Sequence, residues 1–136
     1  MNPREVVTAF LTRKGKILAV KRSKNVRTYR GCWAGISGYV EEEPLQQAKT
    51  EIREETGLDD EDFQLVNRGK PLRVEDSQNK NSWLVYPFCF KLLGDKQIKL
   101  NRENTAYRWI RPEEIKNLET VPDLDKTWER IKCPIN

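Results

Sequence analysis

Glu51, Glu54 and Glu55 lie three and four residues apart in "TEIREETGL". If the segment is helical, those intervals place three carboxylates on adjoining turns. Like charges so close repel, weaken the helix and raise one another's pKa. A hard divalent cation such as Mg²⁺ or Mn²⁺ offsets that cost, because it takes oxygen ligands and commonly bridges to substrate phosphates. The competing explanation is a solvated, Glu-rich helix face. Chemistry elsewhere in the chain is narrowly bounded, since it contains no histidine. A His-based metal site, a Ser–His triad and a His general base are excluded, which leaves carboxylates, lysines, hydroxyls or a bound metal.

The carboxylates need a helix to carry them. Pro44 suits the first turn and Gly57 suits a stop, so the pattern predicts a helix from Pro44 to about Thr56. Leu45, Ala48 and Ile52 recur at i, i+3 and i+7 and should pack on a sheet, with the glutamates largely turned away from that stripe. Before the helix, "EVVTAFLT" and "KILAVKRS" flank "RKGK" as a β-hairpin, followed by the glycine-punctuated loop "KNVRTYRGCWAGISG". After it, "FQLVNRG", "SWLVYPFCFKLL", "KQIKL" and "AYRWI" read as strands, with Pro87 at a bulge or near an edge. "KPLRVEDSQNKN" is a polar connection with some extended character at "LRV", and a candidate lid. "RPEEIKNL" and "PDLDKTWERI" read as closing helices. Trp83, Tyr86, Phe88 and Phe90 are expected on a core face, and Trp109 and Trp128 as packing residues. The fold class is α+β with a mixed sheet, in one domain spanning residues 1–136.

Charge is distributed unevenly. Residues 1–33 hold nine Lys or Arg against Glu5, whereas residues 41–62 hold ten acids against Lys49 and Arg53. A basic region feeding an acidic one suits an anionic ligand carried with divalent cations. Nucleic acid is the competing partner for the basic third, but no zinc-finger, RNP-like or basic-helix signature supports it. No apolar run is long enough for a membrane span, and no secretory signal is visible. Cys32, Cys89 and Cys133 are odd in number and widely spaced, which argues against a disulfide framework or zinc site and for reduced thiols in a cytoplasm.

The wider string tells against the solvated-helix explanation. Gly38, Glu42 and "Glu51-Ile52-Arg53-Glu54-Glu55-Thr56-Gly57-Leu58" resemble the Nudix box, G-x5-E-x7-R-E-U-x-E-E-x-G-U with U aliphatic. The match is complete over residues 51–58, and it follows a hairpin and a "W-x-x-x-x-G" lead-in from Trp33 to Gly38. The resemblance extends over essentially the whole chain. It implies a mixed β-sheet packed between helices, an α/β/α sandwich. It also implies metal-dependent cleavage of a phosphoanhydride bond in a nucleoside di- or triphosphate or a related metabolite. Carried over by position, Glu51, Glu54 and Glu55 become metal ligands, and Ser37 offers the backbone carbonyl that relatives supply from a glycine. Glu103 matches a further loop carboxylate that reaches the metal or its water. Glu51, Glu54 and Glu103 are the catalytic candidates. Which of them is the general base differs among Nudix enzymes.

Arg22, Arg27 and Arg30 are candidates for phosphate, whose geometry matches the guanidinium fork. Tyr29 and Trp33 are candidates to stack on a base, Trp33 being equally suited to anchor the core. Two departures stand out. The loop between Gly38 and Glu42 is two residues shorter than the usual box, and Thr50 replaces the box arginine, which in relatives orients a catalytic glutamate. Arg53, one turn on, is the candidate substitute through pairing with Glu54. These departures keep a second function open, a Nudix-fold nucleotide-binding module with weak or no catalysis. Many relatives form homodimers, and the same is open for this chain.

Overall fold

In the computed structural model, which describes residues 2–135, both closing turns of the carboxylate helix follow from local chemistry. Helix α1 spans Pro44–Thr56. The Glu43 side chain caps its start by accepting from the Gln46 N–H at 3.2 Å. Gly57 ends it in the left-handed region at φ 75°, donating its N–H to the Arg53 carbonyl, a conformation glycine adopts without penalty.

The sheet is mixed. The strands are β1 (Arg4–Arg13), β2 (Lys16–Arg22), β3 (Trp33–Ala34), β4 (Ile36–Tyr39), β5 (Phe63–Arg68), β6 (Leu72–Asp76), β7 (Asn81–Leu92) and β8 (Asn104–Ile110). The order β3-β2-β1-β7-β5 forms the main path, while β4 pairs with β1, β6 with β7 and β8 with β2. β1 and β7 run parallel from Arg4↔Trp83 to Thr12↔Lys91, and the other pairs are antiparallel.

Alternation along β1 and β7 divides the core between two faces. Val7, Ala9, Leu11, Phe88, Phe90 and Leu92 join Ala48 and Ile52 of α1 in one buried cluster. Phe10, Ile17, Ala19 and Cys89 face the other way, against Leu124 and Ile131 of helix α2 (Leu124–Ile131). The α+β sheet between helices implied by the resemblance is therefore observed. Fully burying a side chain such as Ile52 contributes about 2 kcal/mol.

Several expectations are corrected. "KQIKL" forms no strand; it lies against the end of α1, with Ile98 buried and the Lys99 N–H bonded to the Thr56 carbonyl. Its backbone thus has a helix end, not a sheet edge, to bond to. "RPEEIKNL" forms a short 3₁₀ helix over Pro112–Asn117. "KPLRVEDSQNKN" is not a free lid: β6 pairs with β7 from Leu72↔Val85 to Asp76↔Asn81, so its alternating Leu72 and Val74 become a fixed wall. Pro87 lies in the central strand, opposite the gap where β5 hands over to β6; there its missing N–H breaks no ladder, and its carbonyl accepts from Gly69. Finally, Cys89 and Cys133 are joined in a disulfide, leaving Cys32 as the free thiol. Sequence spacing could not show this, because the two meet only once α2 docks across β7. Among the described residues, no helix is long and apolar enough to cross a membrane.

Candidate active site

One flank of α1 packs closely against β4 and the loop before β8. Glu51 and Glu55 are consequently buried, at 8% and 3% exposure, rather than turned outward as the helical pattern suggested. The reason is geometric: each lies three residues beyond an apolar stripe position, Ala48 and Ile52, so a helix set deep in a groove covers it too. Carboxylate oxygens of Glu51, Glu55 and Glu103 all lie within 4.8 Å of one another. Glu54, on the same helix, is exposed at the cavity beside them.

Two neutral side chains steady the buried pair. Gln47 Nε2 donates to Glu51 Oε2 at 2.8 Å, and Asn104 Nδ2 donates to Glu55 Oε1 at 2.9 Å. Neither was anticipated, although Gln47 lies one helical turn before Glu51 and Asn104 follows Glu103, so spacing could have found both. The loop bearing Glu103 is tied to the end of β2: Ser23 Oγ donates to the Arg102 carbonyl at 2.7 Å and the Ser23 N–H to the Glu103 carbonyl at 2.8 Å.

Electrostatics match the crowding. Desolvation by burial, reinforced by the charge of Glu103, holds the Glu55 carboxyl well above the usual carboxylate range, and the Asn104 hydrogen bond only partly opposes this. Glu51 is raised for the same first reason, with the Gln47 amide opposing and the Glu54 and Glu103 charges adding to it. Glu103 is raised by desolvation and then by Glu54, against the pull of Arg22. Glu55 Oε2 is buried with no hydrogen-bond partner. An orphaned buried carboxylate oxygen is costly unless something positive meets it. An all-oxygen donor set that includes a buried, unpartnered carboxylate oxygen fits a hard divalent cation.

A cavity of about 750 Å³ opens on the cluster. Arg22 and Arg27 line it, and so do Tyr29 and Ser37. Arg22 also donates to the Thr28 carbonyl at 3.0 Å, and Ser37 Oγ lies 3.3 Å from Thr8 Oγ1. Tyr29 sits at φ 51° and donates its hydroxyl to Asp76; desolvation and then that carboxylate push its pKa up to about 12. Two expected substrate contacts are not brought to the cavity. Arg30 turns back to donate to the Val26 carbonyl at 2.7 Å, satisfied by its own loop. Trp33 packs with the α2-side cluster under Arg108. Trp83 is the reverse case: expected in the core, it lines the cavity 5.8 Å from the Tyr29 ring. Its odd position puts it on the face opposite Phe88 and Phe90, a parity the sequence already carries.

Thr50 does not approach the glutamates of the cluster. It donates to Glu42 at 3.0 Å and accepts from Arg53 at 3.0 Å, while Arg53 forms its ion pair with Asp60 at 2.6 Å. Arg53 therefore does not stand in for the box arginine by pairing with Glu54; the turn after α1 places a competing carboxylate closer.

The NUDIX domain family model matches residues 1–130. The chain belongs to the Nudix family. It is a Nudix pyrophosphohydrolase by that membership, and its relatives agree. It is 30% identical over 121 residues to the nucleoside triphosphatase NudI of Salmonella arizonae, covering 84% of this chain and 86% of that protein. Among solved structures, a MutT protein from Methanosarcina mazei Go1 superposes with a TM-score of 0.77 at 27% identity, covering 95% of this chain and 93% of the other. A NUDIX hydrolase from Nitrosomonas europaea shares the fold with a TM-score of 0.76 at 21% identity, over 95% and 88% of the two chains.

Within the Nudix box, Gly38 is required by contact. A Cβ built there would fall 2.2 Å from Glu51 Cδ and 2.5 Å from its Oε1. Gly38→Ala is expected to displace that carboxylate and, if the cluster holds a cation, to lower activity about 100-fold, the upper range for loosening the support of a metal-binding group. Circular dichroism should show the fold intact, and full activity in the variant would refute the close approach.

Proposed function

We propose that this Nudix protein is a Mg²⁺- or Mn²⁺-dependent hydrolase of nucleoside di- or triphosphates, cleaving a phosphoanhydride bond. The observation that carries the reading is the convergence of Glu51, Glu55 and Glu103 around the orphaned Glu55 oxygen, at the wall of a cavity that also holds Arg22 and Arg27. The name of the NudI relative, a nucleoside triphosphatase, supports the substrate class.

In this reading Glu51, Glu55 and Glu103 hold the cation, with the Ser37 carbonyl as a further candidate ligand. The ion would supply charge neutralisation and Lewis-acid polarisation at a phosphoryl oxygen. Arg22 and Arg27 bind the polyphosphate, each offering a planar fork to two oxygens. Glu54 stands exposed beside the cluster, free to accept a proton from the attacking water at a carboxylate oxygen. Tyr29 and Trp83 present ring surface to a base, with the Tyr29 hydroxyl held by Asp76.

The test is a release assay over nucleoside triphosphates, ADP-ribose, dinucleoside polyphosphates and dihydroneopterin triphosphate. It would be run with each metal and with chelator, on wild type and Glu54→Gln. Activity should require metal and fall at least about 100-fold in the variant. Turnover that survives chelation or the substitution would reject this assignment. Metal-dependent nucleotide binding without turnover would instead favour a binding module.

A further inference from the structure

The geometry points to Gln47 as the positioning residue of this site, a neutral replacement for the box arginine that Thr50 lacks. Its carboxamide works in both directions. Nε2 donates to Glu51 Oε2 at 2.8 Å, and Oε1 accepts the backbone N–H of Glu41 at 3.0 Å. One side chain thus ties a cluster carboxylate to the shortened loop between Gly38 and Glu42. Gln47 is 5% exposed and Glu51 8%, so the bond is shielded from water and loses little to solvent competition.

The alternatives are occupied elsewhere. Thr50 is turned to Glu42, and Arg53 is held by Asp60 and Thr50. The Glu41 N–H lies within reach of the helix's first full turn, and the glutamine there bridges to it. An arginine could donate to Glu51 but has no acceptor for that N–H. The amide also adds no positive charge beside the cluster, so it orients Glu51 without competing electrostatically with a cation. Outer-shell partners of this kind set ligand orientation, and losing one typically costs 10–100-fold in metal affinity.

This inference rests on the metal reading above, and the experiment separates the two. Mn²⁺ binding to the substrate-free protein would be followed by the electron paramagnetic resonance signal of the free ion. Wild type, Gln47→Met and Arg53→Met would be compared, with melting temperatures alongside. Methionine keeps the length and volume of glutamine but removes both bonds. Gln47→Met should bind Mn²⁺ about 10–100-fold more weakly, whereas Arg53→Met stays within about twofold of wild type. With nucleotide and saturating Mn²⁺, Gln47→Met should lower kcat more than it changes KM. Wild-type affinity in Gln47→Met, or an equal loss in Arg53→Met, would overturn the inference and leave the metal reading standing. No Mn²⁺ binding by wild type would remove both. Should Gln47→Met not fold, the wild-type protein supplies the test through the side-chain amide protons of Gln47 in NMR. Slow exchange with solvent and a shift on adding Mg²⁺ are expected, and a freely exchanging, unshifted amide would refute the role.

Discussion

Glu55→Gln should lower activity by at least about 100-fold and, at the same time, make the metal-free protein more stable near neutral pH. Both effects follow from one burial. Glu55 is 3% exposed, and one of its oxygens has no hydrogen-bond partner. Losing an outer-shell partner of a metal ligand already costs up to about 100-fold, so on the proposed reading of Glu55 as a ligand its loss costs at least that. The stability effect has the opposite sign. The folded pKa of Glu55 lies well above its ordinary 4.5, first through desolvation and then through the Glu103 charge. The folded state therefore holds this proton to higher pH than the unfolded state. The resulting stabilisation is complete below about 4.5 and is lost as pH rises through the folded pKa. Glu51 and Glu103, also raised, add to the same trend.

Thermal unfolding of metal-free wild type should accordingly show stability falling from weakly acidic to neutral pH. In Glu55→Gln that fall should be shallower, because the replacement amide can still accept from Asn104 and carries no charge. Adding Mn²⁺ should raise the wild-type midpoint by mass action and leave the variant nearly unchanged. A variant that keeps its activity, or a metal-free midpoint that climbs between pH 5 and 8 while the variant's stays flat, would contradict the assignment of Glu55 as a buried ligand.

Breaking the Cys89–Cys133 bond should have the largest effect on stability. The bridge closes a loop with a sequence separation of 44 residues. Chain-entropy arithmetic for that length gives about 4 kcal/mol. The loop includes β8 and α2, and so the elements that present Asn104, Leu124 and Thr127 to the site and its cavity. Urea unfolding with and without reductant should show a lower midpoint for the reduced wild type. Cys133→Ser should match the reduced protein and ignore the reductant. Thiol counting in denaturant without reductant should find one thiol, Cys32. Three reactive thiols would show that the bridge does not form in solution.

The features legible in residue order alone are local. The start and stop of α1 were legible because Pro44 and Gly57 act on neighbouring backbone. The β1–β2 hairpin and the long β7 were legible as β-branched, aliphatic and aromatic runs, and residues 51–58 carried enough pattern to identify the family. Glu103 was found only through that resemblance, since nothing in its own neighbourhood marks it.

The remaining outcomes depend on which neighbours a face meets in the folded chain. Helical spacing gives the angle of Glu51 and Glu55 but not the depth of the groove, and depth is what buries them and raises their pKa values. Arg53 had two candidate carboxylates, and the turn after α1 put Asp60 nearer than Glu54. Arg30 was expected at substrate, but a loop carbonyl claimed it; of the two places open to Trp33 the α2-side core took it, whereas Trp83 went to the cavity by strand parity. "KQIKL" alternates like a strand, yet it lies against the end of α1, where Thr56 takes its Lys99 N–H. Cys89 and Cys133 are far apart until α2 packs on β7. Each of these outcomes turns on a contact between segments distant in the chain, and residue order encodes such contacts only through the fold as a whole.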